Sequence, residues 1–249
     1  MQFRTDCRSG SLPDYSFVEP NYTDHATGSG TIPAADQHPD HNVLAGEEFI
    51  TSVYSAIVDN EELWKSTALL VVYDEHGGIY DHVEPPPCVP DEFTDPQTGF
   101  RFNRLGVRVP AVLISPWIPA GTVVARVFDH ASIPATVTKH FIGDFADRSP
   151  REIAADTFLD LLSLEQPRED FIQFGPGDTP VPPDAANPIR PLSQLLYEHV
   201  MALREVDQQL PPEQRTPVEE AHLQSEHGAS QYIAAMTSKL HPKPMATGR

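Results

Sequence analysis

The sequence predicts an α/β fold in which a mixed or parallel sheet is flanked by helices. Apolar residues recur every three or four positions over residues 46–59, which is typical of a helix with one buried face. Two apolar runs, residues 67–73 and 109–114, have the length and composition of strands. A second helix is expected over residues 133–142. Alternation of helix and strand is the pattern of α/β domains.

The amino-terminal part of the chain is predicted to be mostly loop. Within residues 1–42 one short strand is expected at residues 15–19, where it stops at Pro20. The first helix then carries Glu47 and Glu48 in its first turn, where acidic side chains favour the positive end of the helix dipole.

The central and carboxyl-terminal segments complete the prediction. Residues 85–102 are rich in Pro, Asp and Thr and are expected to form an ordered loop over the site. A short helix is predicted at 151–164, and beyond residue 175 the chain becomes Pro-rich and then helical, roughly at 192–207 and 216–239. The predicted domains are therefore residues 1–175 and a Pro-rich, helical extension over residues 176–249.

Composition limits the classes of function. The formal charge of −19 argues against nucleic acid and against anionic membrane as partners, because both attract basic surfaces. No apolar stretch approaches the length of a membrane span, and no secretory signal is visible after Met1. Cys7 and Cys88 do not define a redox compartment, and the localisation stays open.

Residues 74–82, Asp-Glu-His-Gly-Gly-Ile-Tyr-Asp-His, carry the strongest functional signal. They follow a strand, at the kind of sheet edge where α/β proteins hold ligands. Asp74 and His76 share one side of an extended chain, and Glu75 joins them only if the chain turns, which Gly77 permits. Two adjacent carboxylates repel each other unless a divalent cation relieves the repulsion, so a metal site is predicted, with the metal undetermined.

Two other interpretations compete with a metal site. Acidic and histidine side chains after a strand often only solvate a loop or cap a helix. His-Gly-Gly also occurs in the oxyanion loops of lipases, but the sequence contains no Gly-x-Ser-x-Gly elbow. His-Glu-x-x-His and paired Cys-x-x-Cys motifs are absent too, which removes the commonest zinc signatures.

Several segments together resemble a phosphoesterase family that contains the non-specific phospholipases C and a group of single-metal acid phosphatases. The segments occur in the family's order, at residues 12–20, 38–39, 46–50, 73–83, 108–117 and 128–132. The resemblance implies a fold related to that of alkaline phosphatase and a phosphoric ester or phospholipid as substrate. It also implies hydrolysis assisted by one divalent metal ion, which helps to activate a hydroxyl nucleophile and neutralises the transferred phosphoryl group.

The resemblance also assigns roles to individual residues. Asp74 and Glu75 correspond to metal ligands. His38 and His76 correspond to imidazoles that bind phosphate or transfer protons, and His82 is a weaker candidate for the same task.

Other residues are assigned supporting roles by the same resemblance. Asp81 is expected to orient His82, while Asp129 and His130 brace the site. Asp129 is also a candidate helix cap, as is Ser132.

The sequence departs from the family pattern at its beginning. Family members start with a segment like Glu-Asn-Arg-Ser-Phe-Asp, which supplies further metal ligands, and continue to a Ser or Thr nucleophile. Neither is found here, and Ser16, Ser66 and Ser115 match no nucleophile motif. The expectation is therefore the carboxyl-terminal part of a phosphoesterase that lacks an amino-terminal half. The alternative is a non-catalytic remnant or binding module.

Overall fold

The computed structural model describes residues 2–27, 30–39, 41–172, 174, 194–217, 223 and 225–240. The chain divides into two compact units. The first comprises Met1–Phe17 and Ile50–Gly175, and the second comprises Val18–Phe49 and Pro176–Arg249. The predicted division at residue 175 concerns the family domain and stays a prediction.

The helices and strands of the described residues occur in a mixed order, which fits the predicted α/β class. The helices are α1 (Gln2–Ser9), α2 (Val43–Val58), α3 (Glu61–Lys65), α4 (Ser132–Val137), α5 (Pro150–Ala154), α6 (Gln194–Gln209) and α7 (Glu226–Leu240). The strands are β1 (His25–Thr27), β2 (Gly30–Ile32), β3 (Leu69–Val72) and β4 (Ala111–Ile114). A π-helical turn, Thr138–Ile142, continues α4, and short 3-10 turns occur at Leu159–Leu161 and Pro212–Gln214.

The main sheet of the first unit is an antiparallel pair. Leu69 of β3 lies opposite Ile114 of β4, and Val72 lies opposite Ala111. Parallel strands need a crossover connection, usually a helix, and residues 73–110 contain none. The pair is compatible with a mixed sheet, but β3 and β4 are not parallel to each other.

Side chains at the far end of this strand pair fasten it to α3. The Ser115 hydroxyl donates to the carbonyl of Thr67 at 2.9 Å, and the Trp117 indole donates to the carbonyl of Lys65 at 2.7 Å. The polar residues after β4 therefore hold the start of β3, so that β3 leads away from a fixed point towards its acidic end.

The amino-terminal helices of the first unit meet at Asn60. Its amide nitrogen donates to the carbonyl of Cys7 in α1, and its oxygen caps α3 by accepting from the backbone N–H of Leu63. Cys7 is fully buried, and Tyr54 packs edge to face against buried Trp64. Both cysteines are free thiols.

Two features of the first 42 residues differ from the sequence prediction. Residues 15–19 form no strand, and residues 2–9, which the sequence predicted as loop, are helical. Propensity misleads here because a helix this short is stabilised by burial of one side chain, Cys7, rather than by a long periodic face. Residues 25–32 also contain the unpredicted β1–β2 hairpin.

The predicted helices are confirmed elsewhere, with shifted ends. The helix predicted at 46–59 is α2, and that predicted at 133–142 is α4 with its π-helical continuation, which ends at the left-handed Gly143. The helix predicted at 151–164 is shorter, because α5 ends at Ala154. The long helices α6 and α7 confirm a helical carboxyl-terminal part, whereas the Pro-rich residues 175–193 lie outside the described residues. Among the described helices, none combines the length and hydropathy needed to cross a bilayer.

The second unit has its core between α6 and α7. The buried side chains that pack together there are Val200, Leu223, Ala229, Tyr232 and Met236. Buried Asp207 of α6 accepts from the backbone N–H of Thr216, at 3.0 and 3.1 Å to its two oxygens, and from Lys239 Nζ of α7 at 3.1 Å. Asp207 therefore links both helices and the segment between them.

The surroundings of Asp207 make this link depend on pH. Burial raises the pKa of Asp207, but the hydrogen bonds from Thr216 and Lys239 lower it by more than burial raises it. The pKa of Asp207 therefore lies below its ordinary value. A lowered pKa in the folded state stabilises the fold above the unfolded pKa of about 3.9, and this contribution is lost as the pH falls through the folded pKa.

We expect Lys239→Met to lower the free energy of unfolding by about 1 kcal/mol at pH 7, since a buried carboxylate loses a charged donor. The effect should shrink at acidic pH, where Asp207 is protonated in both proteins. Urea unfolding followed by the helical circular dichroism signal at both pH values measures this. Lys65→Met, which removes an exposed pairing with Glu61, serves as the control and should have little effect. Equal destabilisation at neutral and acidic pH would contradict the assignment.

Candidate functional site

The acidic pair Asp74 and Glu75 lies at the end of β3, and both side chains are exposed. Each uses an oxygen to order the turn that follows. Asp74 Oδ1 accepts from the backbone N–H of Glu75 at 2.9 Å, and Glu75 Oε2 accepts from the N–H of Gly77 at 2.6 Å. The predicted turn directly after the strand is present, so both carboxylates belong to one compact loop.

Two glycines make this turn possible. Gly77 and Gly78 have φ values of 60° and 72°, a left-handed region that disfavours side chains. The turn closes when the Ile79 N–H donates to the carbonyl of His76 at 3.0 Å, and His76 Nδ1 lies 3.0 Å from the carbonyl of Ile79. A carbonyl only accepts, so Nδ1 carries the proton. The other ring nitrogen, Nε2, is thereby the basic nitrogen of a neutral His76.

The loop ends at an ion pair between Asp81 and Arg108. Arg108 donates through Nε and Nη2 to the two oxygens of Asp81, at 2.6 and 2.9 Å, in a bidentate arrangement. Asp81 Oδ1 also accepts from the N–H of Val83 at 3.1 Å. Hydrogen bonding to Arg108, above all, holds the pKa of Asp81 far below its usual range. Asp81 is therefore a fixed anion that joins the loop to the segment entering β4.

Two histidines flank the loop in different ways. The His82 side chain is 82% exposed, and its Nδ1 lies 3.5 Å from Asp81 Oδ1. Orientation of His82 by Asp81 stays a prediction. His130 Nε2 lies 3.0 Å from the carbonyl of Tyr73, the residue before Asp74. Since that carbonyl accepts, His130 donates and holds the last residue before the acidic pair.

Asp129 has its own cationic partner. Its Oδ2 lies 3.4 Å from Arg151, which also donates to the carbonyl of Phe102 at 3.2 Å. Neither Asp129 nor Ser132 is the predicted N-cap, because α4 begins after Ala131 without a side-chain cap. The Ser132 hydroxyl instead accepts from the backbone N–H of Asp129. Arg151 therefore connects residue 129 to the loop over residues 85–102.

The loop over residues 85–102 is ordered by backbone pairing. The backbone N–H of Cys88 donates to the carbonyl of Asn103, and the N–H of Leu105 donates to the carbonyl of Pro86, both at 2.9 Å. The two ends of the loop therefore run side by side. At its tip Asp95 accepts from the Gln97 N–H at 2.8 Å. Ordered structure in this segment agrees with the sequence prediction.

His38 lies in the second unit. It is half-buried and precedes a turn in which the N–H of His41 donates to the His38 carbonyl at 2.7 Å. The structure thus brings together Asp74, Glu75, His76 and His82 on one loop. It places His38 on a separate turn immediately before α2.

The serine candidates are occupied by structural contacts or lack a basic partner. Ser115 donates to the carbonyl of Thr67, just before β3, and Ser66 donates to backbone carbonyls of α3. The Ser16 hydroxyl is buried without a hydrogen-bond partner among the described residues. No nucleophile is assigned among the described residues.

The carboxylates fit a divalent metal by type but not by number. Oxygen ligands suit such ions, yet even a tetrahedral site needs four ligands and harder cations need six or more. In the described portion of the chain, no three His, Cys, Asp or Glu side chains are grouped so that they could hold a metal. Asp74 and Glu75 can therefore be only part of a ligand set.

Sequence reasoning missed two features of these sites. The sequence pattern marks Arg108 only as part of the segment 108–117 and does not pair it with Asp81. The pairing of His41 with Asp36 was also missed. Asp36 and His41 stand five positions apart on either side of His38, and that arrangement is the available signal.

Comparison with known proteins gives a family. The family model described as "Phosphoesterase family" matches residues 1–142, more than half of the chain. The chain is 40% identical to non-specific phospholipase C6 of Arabidopsis thaliana over 183 residues, 68% of the chain and 34% of the relative. It is 42% identical to non-specific phospholipase C1 of the same plant, over 68% of the chain and 33% of the relative. A bacterial relative, hemolytic phospholipase C of Pseudomonas aeruginosa, is 32% identical over 75% of the chain and 24% of the relative. The chain thus spans about a third of the length of these plant relatives.

The ion pair at the end of the loop can be tested directly. We expect Arg108→Met to speed amide hydrogen exchange in residues 79–83, because the N–H of Val83 is held by Asp81 and Asp81 is held by Arg108. Arg108→Lys should have an intermediate effect, since a single ammonium replaces a bidentate fork. Exposed Arg101→Met is the control. Exchange in Arg108→Met equal to that of the unsubstituted chain would show that the pair does not hold the loop.

Proposed function

Because the chain belongs to the phosphoesterase family, we propose that it forms part of an enzyme that hydrolyses phosphoric esters in the manner of phospholipase C. One observation carries the proposal: two exposed carboxylates stand side by side at the end of β3, on a turn of two left-handed glycines. A turn without side chains leaves room for a phosphate group and its cation to approach the backbone.

We propose further that β3 and β4 belong to a larger sheet related to that of alkaline phosphatase. Both strands are apolar along their length, yet none of their residues is fully buried, and Val112 is 57% exposed. Strands of this composition are normally covered on both faces in α/β proteins. This partial burial supports a sheet with additional strands and helices.

Asp74 and Glu75 are proposed as ligands of one divalent metal ion, together with ligands outside the described residues. The bound ion would supply charge neutralisation for the phosphoryl group and help to activate a hydroxyl nucleophile. Holding two carboxylates at adjacent positions is unfavourable without a cation, and the loop keeps both of them at the surface, where an ion can reach them.

Imidazoles are proposed to handle the protons. His76 is suited to this because its Nδ1 is bound to the carbonyl of Ile79, which leaves Nε2 to accept a proton or to bind a phosphate oxygen when protonated. His38 is proposed for the same chemistry from the family resemblance. His82, which is almost fully exposed beside Asp81, is the weaker candidate.

The proposed substrate is a phospholipid. The relatives are named phospholipases C, and the residues that follow the glycines, Ile79 and Tyr80, are large side chains with 66% and 87% of their surface exposed. Apolar groups beside a polar site suit a substrate that has both a phosphate and acyl chains. A phosphomonoester would use the polar half of such a site only.

The assay measures hydrolysis of p-nitrophenyl phosphorylcholine and phosphatidylcholine with and without added divalent metal. We expect Asp74→Asn to reduce any metal-dependent turnover at least about tenfold. The amide still accepts from the Glu75 N–H, so the turn is kept while the charge is lost. Asp91→Asn is the matched control, because Asp91 is an exposed acid that accepts from the N–H two residues later.

Undiminished metal-dependent turnover in Asp74→Asn would remove Asp74 from the ligand set. Absence of any turnover, with metal binding still measurable by calorimetry, would favour a binding module over an enzyme. Comparison with p-nitrophenyl phosphate separates diester from monoester hydrolysis.

The two histidines of the loop should differ in importance. We expect His76→Asn to lower kcat by about a hundredfold, in the range for loss of an acid–base group, and His82→Asn to lower it far less. Steady-state kinetics at pH 7 with the same substrate measures both. A larger loss in His82→Asn than in His76→Asn would reverse the assignment.

A further inference from the structure

The second unit contains a buried acid–imidazole pair that the proposed chemistry does not use. His41 Nδ1 bonds to Asp36 Oδ1, and the two side chains are 1% and 4% exposed. A carboxylate oxygen accepts, so the proton lies on Nδ1. The other oxygen, Asp36 Oδ2, is buried and has no hydrogen-bond partner within the part of the chain that the structure describes. The contact with His41 is therefore what compensates the buried Asp36 there.

This pair closes the turn that carries His38. The side chains join residues 36 and 41, and inside that loop the backbone N–H of His41 donates to the carbonyl of His38 at 2.7 Å. Gln37, just before His38, has a φ of 60°, a conformation that a residue with a side chain adopts only when its surroundings impose it. The position of His38 is thus set by contacts on both sides of it.

The turn is also fastened to the start of α2. Gln37 Nε2 donates to the carbonyl of Val43 at 2.8 Å, and Asn42 Oδ1 accepts from the Leu44 N–H at 3.0 Å. Gly46 makes room for this arrangement, because a Cβ there would lie 2.0 Å from Gln37 Cγ. The Gln37 side chain therefore occupies the space next to residue 46 that a side chain on that residue would need.

The other side of the turn is held by the segment before β1. The N–H of Ala35 donates to the carbonyl of Asn21 at 2.9 Å, and the N–H of Ala34 donates to Asp24 Oδ1 at 2.8 Å. Ala34 and Ala35 are buried. The segment before Asp36 is therefore held by hydrogen bonds, and the segment after His41 leads into α2.

We infer that Asp36 and His41 are positioning residues for His38; the role of His38 itself rests on the proposed function. Burial excludes a catalytic role for the pair, since an imidazole with 1% of its surface exposed cannot touch a phosphate ester. Instead Asp36 holds His41, and His41 fixes the backbone of His38. Displacement of an acid–base group by about 1 Å can cost a hundredfold in rate, which makes such a clamp consequential.

The test uses variants of the clamp in the 249-residue chain. His41→Leu removes the donor to Asp36, whereas His41→Asn places an amide nitrogen near the position of Nδ1 and restores it. Asp36→Glu keeps the charge but lengthens the side chain by one methylene, so it displaces the partner without removing it. Asp207→Asn, in the core between α6 and α7, is the control for destabilisation alone, since Asp207 contacts Thr216 and Lys239.

The readout is the position and line width of the His38 ring signals in carbon–proton NMR correlation spectra. We expect His41→Leu and Asp36→Glu to move or broaden these signals and to speed exchange of the residue 41 amide. His41→Asn should bring the signals back towards those of the unsubstituted chain, and Asp207→Asn should leave them in place. Tyr232 ring signals report whether the α6–α7 core is folded in each variant. If His41→Leu unfolds it, Asp36→Glu and His41→Asn decide the question.

Unchanged His38 signals in a folded Asp36→Glu or His41→Leu protein would overturn the inference, as would failure of His41→Asn to differ from His41→Leu. Where the chain turns over p-nitrophenyl phosphorylcholine, kcat should fall about tenfold in His41→Leu, while KM changes by less than about twofold. If the unsubstituted chain shows no turnover, the proposed function fails, but the NMR result still decides whether the clamp positions His38.

Discussion

The arrangement of the first unit depends on the bidentate pairing of Asp81 with Arg108. The acidic loop leaves the sheet at Asp74 and must turn at once, because both carboxylates are anchored to backbone N–H groups within the next three residues. Without a fixed far end, such a loop would be held only by local hydrogen bonds and two flexible glycines. Arg108 supplies that fixed end, and it does so from the segment that leads into β4, the strand paired with β3. The ion pair therefore ties the loop to the sheet from which it arises.

Both units use the same physical device on different partners. A carboxylate with little exposed surface, Asp81 in one unit and Asp36 in the other, is paired with one basic side chain. The Asp36–His41 pair spans the turn that carries His38, and the Asp81–Arg108 pair holds the end of the loop that carries His76. A conformation that separates the two partners would leave a poorly solvated carboxylate without compensation, which is unfavourable. The pair therefore restricts the conformations that the chain around it can adopt. Rigidity of this kind is what acid–base chemistry requires of the groups that perform it.

The negative charge of the chain means that the proposed chemistry requires a cation. The chain carries 36 acidic and 17 basic residues, and the loop after β3 adds three carboxylates within eight positions. An anionic phosphate ester would be repelled by this loop alone. A divalent cation between Asp74 and Glu75 would reverse the local potential, which is why the metal and the substrate belong to one proposal. The charge of Arg108 is compensated by Asp81, to which it is bound through Nε and Nη2.

The sequence by itself determined the helix at α2, the two apolar strands, the glycine turn and the acidic pair, because each depends on residues adjacent in the chain. Local composition was enough to expect Asp74, Glu75 and His76 on one loop after a strand. It was not enough for the short α1, where one buried side chain outweighs weak propensity, or for residues 15–19, where β-forming residues find no partner strand. Only the tertiary structure decided that β3 and β4 pair antiparallel, that Arg108 holds Asp81 from 27 positions away, and that Asp36 and His41 are buried together. Those features arise from contacts that form when distant segments pack and exclude water, and no pattern of neighbouring residues specifies which segments will meet.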